Sequence, residues 1–408
     1  MGLIAYPASM RRAEYAEPNC SACMLNRGSQ LPLFGQGKKG ILILVDHQES
    51  IQQLQKTFSV GDKFAQIKEM FEHHFIYLDE DCWVTSAIQC YTERPDEKHG
   101  KCCKPAIVKI IEQLKPKLIV GFGDITTKTL YSYALDDNIY VERLHGFVHN
   151  SRKFNCNIVC TDMPHTRIPG KQPIVETLQI KRDVFIAVDS LKRERTIWKD
   201  EKECVRPLNT KQAIEELKAM IANPVKRLSA VDYETNSLRP FNSNAKLISI
   251  AISEDINTSI AFRINDEVIP YLKQYWMATY IKKIAHNSAF ERVWTMVKLG
   301  IMPFSLAIDT MLMMRVMDNR SKILSVKFLA PVLIGSPKWD IISEKYIGAR
   351  KEDGAKYGSY ALNTMEQMPT RDLLLYNGID SLVELRLYYV LKHMIDIYYA
   401  SFETVEGQ

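Results

Sequence analysis

The sequence lacks the long apolar run that a membrane-spanning helix requires. None of its hydrophobic stretches approaches the length of about 20 residues that crosses a bilayer. The N-terminal residues MGLIAYPASMRRAEYAEP do not show the ordered charged and apolar regions of a signal peptide. These absences predict a cytoplasmic protein that has no membrane partner.

A disulfide framework is not expected, because the nine cysteines form an odd set in a chain that reads as cytosolic. Metal binding or simple burial must therefore account for them. The net charge of +5 permits nucleic-acid binding, but the sequence has little of the dense basic patterning of dedicated electrostatic binders. Basic clusters at 101–104 and 192–195 are interpreted as solvated surface rather than as phosphate contacts.

The length of 408 residues indicates two or three domains. The first half alternates short apolar runs with amphipathic stretches, which is typical of a parallel α/β sheet. Strands are predicted at 40–45, 83–89 and 117–120, and helices at 59–75, 106–114 and 126–135.

The second half begins after a charged stretch at 192–206. Thr210 is predicted to cap a helix that runs to Met220. Three consecutive strands then predict a meander, and helices are expected to dominate after it. The strands are expected at 227–232, 246–252 and 258–262. The sequence thus predicts two domains, 1–205 and 206–408, of which the second is an α/β domain with a mixed sheet.

Three segments of the second half carry acidic residues in a pattern that suits a metal site. In VDYET, Asp232 and Glu234 end a predicted strand, and the two-residue period turns both side chains to the same face. In YNGID, a spacing of four residues places Tyr376 and Asp380 on one face of a helix. The remaining segment, AHNSAFERVW, contributes Glu291.

Phosphodiester hydrolysis accounts for this set of side chains. Two divalent ions about 4 Å apart can bind a scissile phosphate, activate a water and stabilise the leaving 3′ oxygen. Hard ions such as Mg²⁺ or Mn²⁺ prefer oxygen ligands, which the carboxylates supply. A tyrosine hydroxyl can orient the attacking water.

In order and spacing, the segments VDYET, AHNSAFE and YNGID resemble the three exonuclease motifs of the DEDD superfamily, tyrosine subtype. The chain from about 205 to 400 is similar to the proofreading domain of phage family A DNA polymerases, which has an RNase H-like fold. This resemblance implies a metal-dependent 3′→5′ DNA exonuclease. It implies that Asp232, Glu234 and Asp380 bind the ions, that Tyr376 positions the water and that Asn287 supports the second motif.

One position departs from the family pattern. The family has aspartate where this chain has Glu291, which keeps the charge but adds a methylene at the weaker second-ion site. Asp309, in IDTML, is expected to have a structural or supporting role. Glu384, four residues past Asp380, is expected to be a surface or ion-paired charge rather than a ligand.

Cysteines in the first half show the spacing of a four-thiolate metal site. Cys20 and Cys23 form a C-x2-C pair, Cys90 follows a predicted strand, and Cys103 precedes Lys-Pro at the start of a predicted helix. Two close and two distant thiolates can hold a [4Fe–4S] cluster or Zn²⁺, which spacing alone does not separate. Buried thiols without metal are the remaining alternative.

Three segments of the first half are similar to the iron–sulfur uracil-DNA glycosylases of families 4 and 5: CSACMLNRGSQLPLFGQGKKGILILV, WVTSAIQC and CCKPAIVKIIEQLKPKLIVGFG. The resemblance covers about residues 18–170. It implies a glycosylase-like fold with a 4Fe–4S cluster on Cys20, Cys23, Cys90 and Cys103.

The glycosylase chemistry does not follow from this resemblance. VDHQES stands where the family has a glycine-rich acidic loop, and Ser86 stands where it has the asparagine that reads the uracil edge. The family's His-Pro motif is matched only by MPHTRIPG, in altered order, so His165 is expected to be a surface or loop residue.

The leading hypothesis is a bacteriophage replication protein, acting in the cytoplasm of the bacterial host. A non-catalytic iron–sulfur module would be joined to a proofreading exonuclease that acts on a single-stranded 3′ DNA end. Because the chain ends soon after Asp380, either the DNA polymerase is a separate chain, which is the favoured expectation, or this sequence is a fragment of a longer protein. The alternatives are a base-excision uracil-DNA glycosylase with an auxiliary nuclease, and a non-enzymatic module that docks DNA or a polymerase.

Overall fold

A computed structural model describes residues 20–25, 30–135, 139–165, 174–349 and 351–406. The chain divides into two compact units, the first made of 1–197 with 331–337 and the second of 198–330 with 338–408. The first 19 residues and the part of MPHTRIPG from 166 onward lie outside the described residues. None of the described helices combines the length and the apolar character needed to cross a membrane.

Five strands form the sheet of the first unit: β1 (Ile41–Val45), β2 (Cys82–Ser86), β3 (Leu118–Phe122), β4 (His149–Ser151) and β5 (Cys156–Thr161). Their order is β2-β1-β3-β5-β4. The pairs β1–β2, β1–β3 and β3–β5 are parallel, and β4 is an antiparallel edge strand. The prediction of a parallel α/β sheet in the first half is therefore confirmed.

Helices cover this sheet and bury an apolar core that includes Ile43, Phe71 and Val120. They are α1 (Ser50–Gln55), α2 (Asp62–Glu72), α3 (Leu78–Asp81), α4 (Glu97–Leu114), α5 (Asp124–Tyr131) and α6 (Ile174–Ser190). The predicted start of α4 at residue 106 is wrong. The Asp96 side chain caps the helix by accepting from the Lys98 amide at 2.8 Å, so Pro105 lies inside the helix rather than in its first turn.

Asp183 anchors α6 to the sheet through buried polar contacts. Its carboxylate accepts from the Thr161 hydroxyl at 2.8 Å and from the Gly146 amide at 2.9 Å, and it lies 2.6 Å from His145 Nδ1. Asp162 contacts the other ring nitrogen of His145 at 3.1 Å. Burial lowers the pKa of His145, but the hydrogen bonds to Asp162 and Asp183 outweigh it and raise that pKa to about 9. A charged imidazole therefore links the two carboxylates.

Replacing His145 by glutamine is expected to destabilise the first unit most at neutral and acidic pH. The pKa of His145 in the folded protein is about 9, above its ordinary value of 6.5. Stabilisation by the charged ring is therefore complete below about pH 6.5 and is lost as the pH rises through about 9. Thermal unfolding should be measured at several pH values. The unfolding temperature of H145Q should lie below that of the native protein, and this difference should shrink as the pH rises across this range.

The control for this experiment is His165→Gln, because the exposed His165 ring pairs with an exposed Glu176. An exposed pair of this kind contributes at most about 1 kcal/mol. The unfolding temperature of H165Q should therefore stay close to that of the native protein. If the unfolding temperature of H145Q were lowered by the same amount at every pH in this range, the assigned ion pair would be contradicted.

Six strands form the sheet of the second unit: β6 (Val205–Leu208), β7 (Arg227–Thr235), β8 (Leu247–Asp255), β9 (Thr258–Arg263), β10 (Ile281–Ala285) and β11 (Leu306–Asp309). Their order is β11-β10-β7-β8-β9-β6. The antiparallel run β7-β8-β9 confirms the predicted meander, and the parallel neighbours on both sides confirm a mixed sheet. The sequence did not predict β10 and β11.

The helices of the second unit are α7 (Glu201–Cys204), α8 (Thr210–Ala222), α9 (Ile269–Met277), α10 (Ala289–Trp294), α11 (Thr310–Met317), α12 (Val326–Leu329), α13 (Glu344–Ile347), α14 (Lys351–Tyr357) and α15 (Thr370–Glu406). The predicted cap at Thr210 is wrong by one residue. Asn209 caps α8 in a reciprocal arrangement with Gln212, whose amide donates to the Asn209 side chain at 3.0 Å.

Polar contacts fix α15 against the sheet of the second unit. The buried Arg386 guanidinium donates to Glu201 at 2.7 Å and to the Ile256 carbonyl at 2.9 Å. The Ser381 hydroxyl lies 2.9 Å from the hydroxyls of both Ser253 and Ser259. These contacts set the rotation of α15, and so the face that it turns toward β7.

Candidate metal centres

Three acidic side chains from two elements meet in the second unit. Asp232 and Glu234 lie on β7, and Asp380 lies on α15. One carboxylate oxygen of each lies within 4.8 Å of the other two, and this is the only group of three or more potential ligands that meets so closely among the described residues. The alternation along β7 turns Tyr233 the other way, where its hydroxyl accepts from Trp276 at 2.6 Å. The structure thus brings together the three side chains predicted as direct ligands.

A lysine and a tryptophan bind the same carboxylate. Lys327 Nζ lies 2.6 Å from Asp380 Oδ1, and the Trp339 indole donates to that oxygen at 2.9 Å. The ammonium also lies over the rings of Trp339 and Tyr376, 4.2 and 4.7 Å from their centroids. Neither Lys327 nor Trp339 is predicted as a site residue, because nothing in the spacing of the sequence around them indicates a contact with Asp380.

Asn377 orients Asp232 from the next position of the YNGID segment. Its side-chain amide donates to Asp232 Oδ2 at 2.6 Å and to the Asp232 carbonyl at 3.1 Å. Its own oxygen accepts from the Ser249 hydroxyl at 2.9 Å. This buried chain of hydrogen bonds holds the Asp232 carboxyl in one orientation, as partners of metal ligands commonly do.

The electrostatics of this group favour a bound cation. Burial raises the pKa of Asp232 well above its ordinary range, and Asp380 raises it further, while Lys327 and Asn377 oppose the shift. Burial and the repulsion of Asp232 and Asp380 raise the pKa of Glu234 in the same way. Because metal ligands must be deprotonated, binding of a cation here releases protons and strengthens as the pH rises.

Tyr376 lies beside Asp380 on α15, one turn earlier, as the spacing of four residues predicts. Burial, and then the charges of Asp380, Glu234 and Asp232, raise its pKa well above the ordinary value. The phenol is therefore neutral at physiological pH and keeps a hydroxyl that can both donate and accept a hydrogen bond.

The four predicted cysteine ligands of the first unit also converge. The Cys20–Ala22 turn packs near α4, which carries Cys103. Cys103 is electrostatically coupled to Cys90, Cys23 and Cys20, and burial is the main reason that its pKa rises to about 11. Cys103 Sγ accepts from the Gln89 amide at 3.5 Å.

Cys102, which directly precedes the predicted ligand Cys103, joins this cysteine group. Its thiol is hydrogen-bonded to Cys23, and its pKa is raised by burial first and then by Cys23 and Cys20. Cys102 and Cys103 therefore both approach the C-x2-C pair. Adjacent positions on a helix diverge by about 100°, so their thiols approach it from different directions.

Residues 205–396 match the model of the 3′-5′ exonuclease family. The second unit contains a 3′-5′ exonuclease domain. Its mixed sheet and flanking helices are RNase H-like, as predicted. Among curated protein sequences, none matches this chain.

Solved nuclease structures are similar to parts of the chain. Brucella melitensis NrnC is 17% identical over 49% of this chain and 85% of its own, with a TM-score of 0.34. The catalytic core of RRP6 from Trypanosoma brucei is 18% identical over 60% of this chain and 64% of its own, with a TM-score of 0.30. Escherichia coli RNase D is 15% identical over 45% of this chain and 50% of its own, with a TM-score of 0.29.

The residues of the second predicted motif, AHNSAFERVW, lie in two different environments. Glu291, on α10, is buried and lies outside the close group of three carboxylates. Asn287 is exposed, has a φ of +68° and donates its backbone amide to Asp309 at 3.1 Å. Asp309 also accepts from the Ser288 amide at 2.8 Å and from the Met311 amide at 2.9 Å, where it caps α11. Asp309 therefore has a structural role, because its carboxylate holds the backbone of the turn that leads into α10.

The expectation of a surface charge at Glu384 is wrong, because Glu384 is 3% exposed. Within the described parts of the chain, its Oε2 has no hydrogen-bond partner. The physical reason is that α15 is covered on this face by the sheet, so the residue one turn after Asp380 is buried beside the carboxylates.

Trp339→Phe tests whether the indole contact prepares Asp380 for a metal ion. The change removes one hydrogen-bond donor and keeps an aromatic ring over Lys327. Loss of a hydrogen-bond partner of a metal ligand typically lowers affinity about 10- to 100-fold. Calorimetric titration with Mn²⁺ should show a loss in this range for W339F. Trp83→Phe, on β2 of the first unit, is the control, and equal affinities of W339F and W83F would contradict the assigned contact.

Proposed function

We propose that the protein is a metal-dependent 3′→5′ exonuclease that hydrolyses DNA from a single-stranded 3′ end. The convergence of Asp232, Glu234 and Asp380 beside Tyr376, inside the region that matches the exonuclease family, carries this proposal. The chemistry of the donors suits it, because a group of carboxylate oxygens fits a hard divalent ion such as Mg²⁺ or Mn²⁺.

The three carboxylates would hold the first ion of a two-ion site. Burial and mutual repulsion raise the pKa of Asp232 and Glu234, and a divalent ion bound between the carboxyl groups would relieve that repulsion. When bound, such ions supply the Lewis acid that polarises the scissile phosphate and stabilises the leaving oxygen.

The remaining groups act through their own atoms. The neutral Tyr376 hydroxyl orients the attacking water by hydrogen bonding. The Lys327 ammonium, 2.6 Å from Asp380, supplies positive charge where the reacting phosphate gains negative charge. Trp339 and Asn377 hold Asp380 and Asp232 in position before the substrate arrives.

Exposed aromatic side chains near the end of β7 favour an unpaired strand as substrate. Phe241, in the loop that follows β7, is 62% exposed. The Asn242 side chain in that loop donates to the carbonyl of the exposed Tyr360 at 3.3 Å. Aromatic side chains stack on bases without regard to sequence, which suits a nuclease that does not read sequence.

Asp232→Asn should abolish hydrolysis, because it removes the carboxylate at the centre of the group. With Mg²⁺ or Mn²⁺ and a 5′-labelled single strand, the native protein should give a ladder that shortens from the 3′ end. D232N should lower the rate at least about 100-fold. Asp266→Asn, at an exposed position, is the control. Undiminished activity of D232N would refute the exonuclease proposal, and the same assay with RNA would decide between the two substrates.

We also propose proofreading for a polymerase supplied as a separate chain, on the resemblance of the motifs to polymerase exonuclease domains. Mismatched ends cost less to unpair than matched ends. A primer with a mismatched 3′ end should therefore be shortened faster than a matched primer by the native protein. Equal rates would count against the proofreading role and leave the nuclease activity in place.

For the first unit we propose a glycosylase-like, non-catalytic module that holds a [4Fe–4S] cluster. The convergence of Cys20, Cys23, Cys90 and Cys103 supports the cluster. Four thiolates can also hold Zn²⁺, and the resemblance of this region to iron–sulfur glycosylases is what favours the cluster.

The absence of glycosylase activity is supported by what fills the carboxyl ends of β1 and β2. The buried Gln48 donates to the Ser86 hydroxyl at 3.3 Å and to the Gln89 carbonyl at 2.8 Å. Asp46 accepts from the Thr126 amide at 2.7 Å. Gly123 fits here because its φ is +95° and a Cβ would come within 2.3 Å of Asp46. These side chains bind one another and the backbone, whereas a base-reading site offers its polar groups to the edge of the base.

Iron content tests the cluster. Anaerobically purified protein should contain iron and acid-labile sulfide in a four-to-four ratio per chain, because that is the composition of a [4Fe–4S] cluster. Cys23→Ala should lower both, and Cys160→Ala, in the buried strand β5, should not. Comparing C102A with C103A identifies the fourth ligand. Stoichiometric zinc without iron would overturn the cluster.

A further inference from the structure

A cavity of about 330 Å³ lies between α4 and α5 of the first unit, and none of the proposed metal ligands lines it. Its walls come from one face of each helix, at the helical spacing of three and four residues. These faces run from Glu97 to Lys104 on α4 and from Ile125 to Ser132 on and just after α5. The volume lies in the range of about 300–1,000 Å³ that is typical of small-ligand sites. The cavity is therefore large enough to hold a ligand group.

Gly100 allows α4 and α5 to pack closely beside this cavity. It is buried, and a Cβ added to it would lie 2.5 Å from Ile125 Cγ2, so a side chain does not fit at this position. The long side chains of Lys101 and Lys104 follow on the same face of α4 and border the space between the helices. The packing of two regular helices thus builds the cavity.

Lysines dominate the charge of the cavity lining. Lys101, Lys104 and Lys128 bring three positive charges, and Glu97 brings the one negative charge of the lining. The Lys128 side chain is 11% exposed and pairs with Glu97. The Lys104 ammonium donates across the cavity to the hydroxyl of Ser132, a contact that orients the ammonium without neutralising it. The lining therefore carries an excess of positive charge, which favours an anion.

The donors of the lining suit an anion that has several oxygens. Because the Ser132 hydroxyl accepts from Lys104, its own hydrogen can point to another acceptor. Each lysine ammonium carries three hydrogens to donate. Lysine and serine side chains are common partners of the phosphate oxygens in complexes of proteins with nucleic acids. The cavity thus offers what a phosphate group needs, which is positive charge and donors from two directions.

An aromatic side chain next to the cavity favours a nucleic-acid strand over a lone anion. Tyr140 is 43% exposed, and Lys128 Nζ lies 4.3 Å from the centroid of its ring. Proteins that bind single strands combine basic groups, which hold the backbone, with aromatic rings on which bases stack. Lys128 brings these two elements together, because it lines the cavity and also contacts the ring.

We propose that the cavity between α4 and α5 binds a backbone phosphate of a single-stranded nucleic acid, held by Lys101, Lys104, Lys128 and Ser132. The first unit then contacts the strand itself, in addition to holding a cluster. The basic cluster at 101–104, which the sequence indicates as solvated surface, gains a ligand. This role is independent of the exonuclease chemistry, because every residue that supports it lies in the first unit.

Binding of a fluorescently labelled single DNA strand to the full chain tests the cavity. Fluorescence anisotropy is measured without divalent ions, so that the strand is not cut, and at several salt concentrations. Lys104→Gln and Lys128→Gln should each lower the affinity about 2- to 5-fold. Each should also reduce the slope of log affinity against log salt by about 0.7, the value for one phosphate contact of a single strand. Glu97→Gln should raise the affinity, because it removes the carboxylate of the lining.

Lys68→Gln is the matched control, because it removes an exposed charge, paired with Glu72, from α2 of the same unit. The affinity and the salt slope of K68Q should equal those of the native protein. Thermal unfolding of each variant checks the fold, and a gain of affinity in E97Q does not arise from a damaged fold. Native affinity and slope in both K104Q and K128Q would overturn the proposal, as would weaker binding by E97Q.

A labelled mononucleotide distinguishes a strand from a free phosphate compound as the ligand. If the cavity binds a strand, the lysine variants lower the affinity for the labelled strand and E97Q raises it. If these variants change the affinity for the mononucleotide and leave that for the strand unchanged, the cavity takes a free nucleotide and the proposal is wrong.

Discussion

Repulsion among the carboxyl groups around Asp232 is the constraint on which the second unit is organised. Asp232 and Glu234 are half-buried, Asp380 is buried, and the three lie close together, with the Lys327 ammonium on Asp380. Such an arrangement persists only if the surrounding fold holds it in place. The buried pair of Arg386 and Glu201 and the hydroxyl contacts of Ser381 meet this need, because they fix α15 to the sheet away from the acids. The contacts that stabilise the domain thus lie away from the carboxyl groups, whose repulsion favours the binding of a cation.

Lys327 offsets part of the negative charge of the acids. Its ammonium contacts Asp380 and is held over the rings of Trp339 and Tyr376, so it brings positive charge to one of the three carboxyl groups. A lysine is a point charge, whereas an arginine would bind two carboxylate oxygens at once and leave fewer of them for a cation.

The spacing of residues in the sequence predicted those pairs of site residues that lie on a single strand or helix. The two-residue period of β7 was enough to place Asp232 with Glu234, and the helical spacing of α15 to place Tyr376 with Asp380. Contacts between distant segments left no such pattern, so Lys327, Trp339 and the burial of Glu384 were missed. The strand β10 was missed because IKKIA reads as exposed, yet Lys283 is buried and donates to the carbonyls of Tyr275 and Ala278. The start of α4 was misplaced because Pro105 was taken as a first-turn residue.

Polar groups at the end of β1 and at the end of β7 are held in different ways. In the first unit, the Gln48 side chain donates to Ser86 and to the Gln89 carbonyl, and Asp46 accepts from a backbone amide. In the second unit, three carboxyl groups lie together, and Asn377 and Lys327 each contact one of them. Carboxyl groups held this close repel one another unless a cation binds between them, so this arrangement marks the second unit as the place for a metal ion.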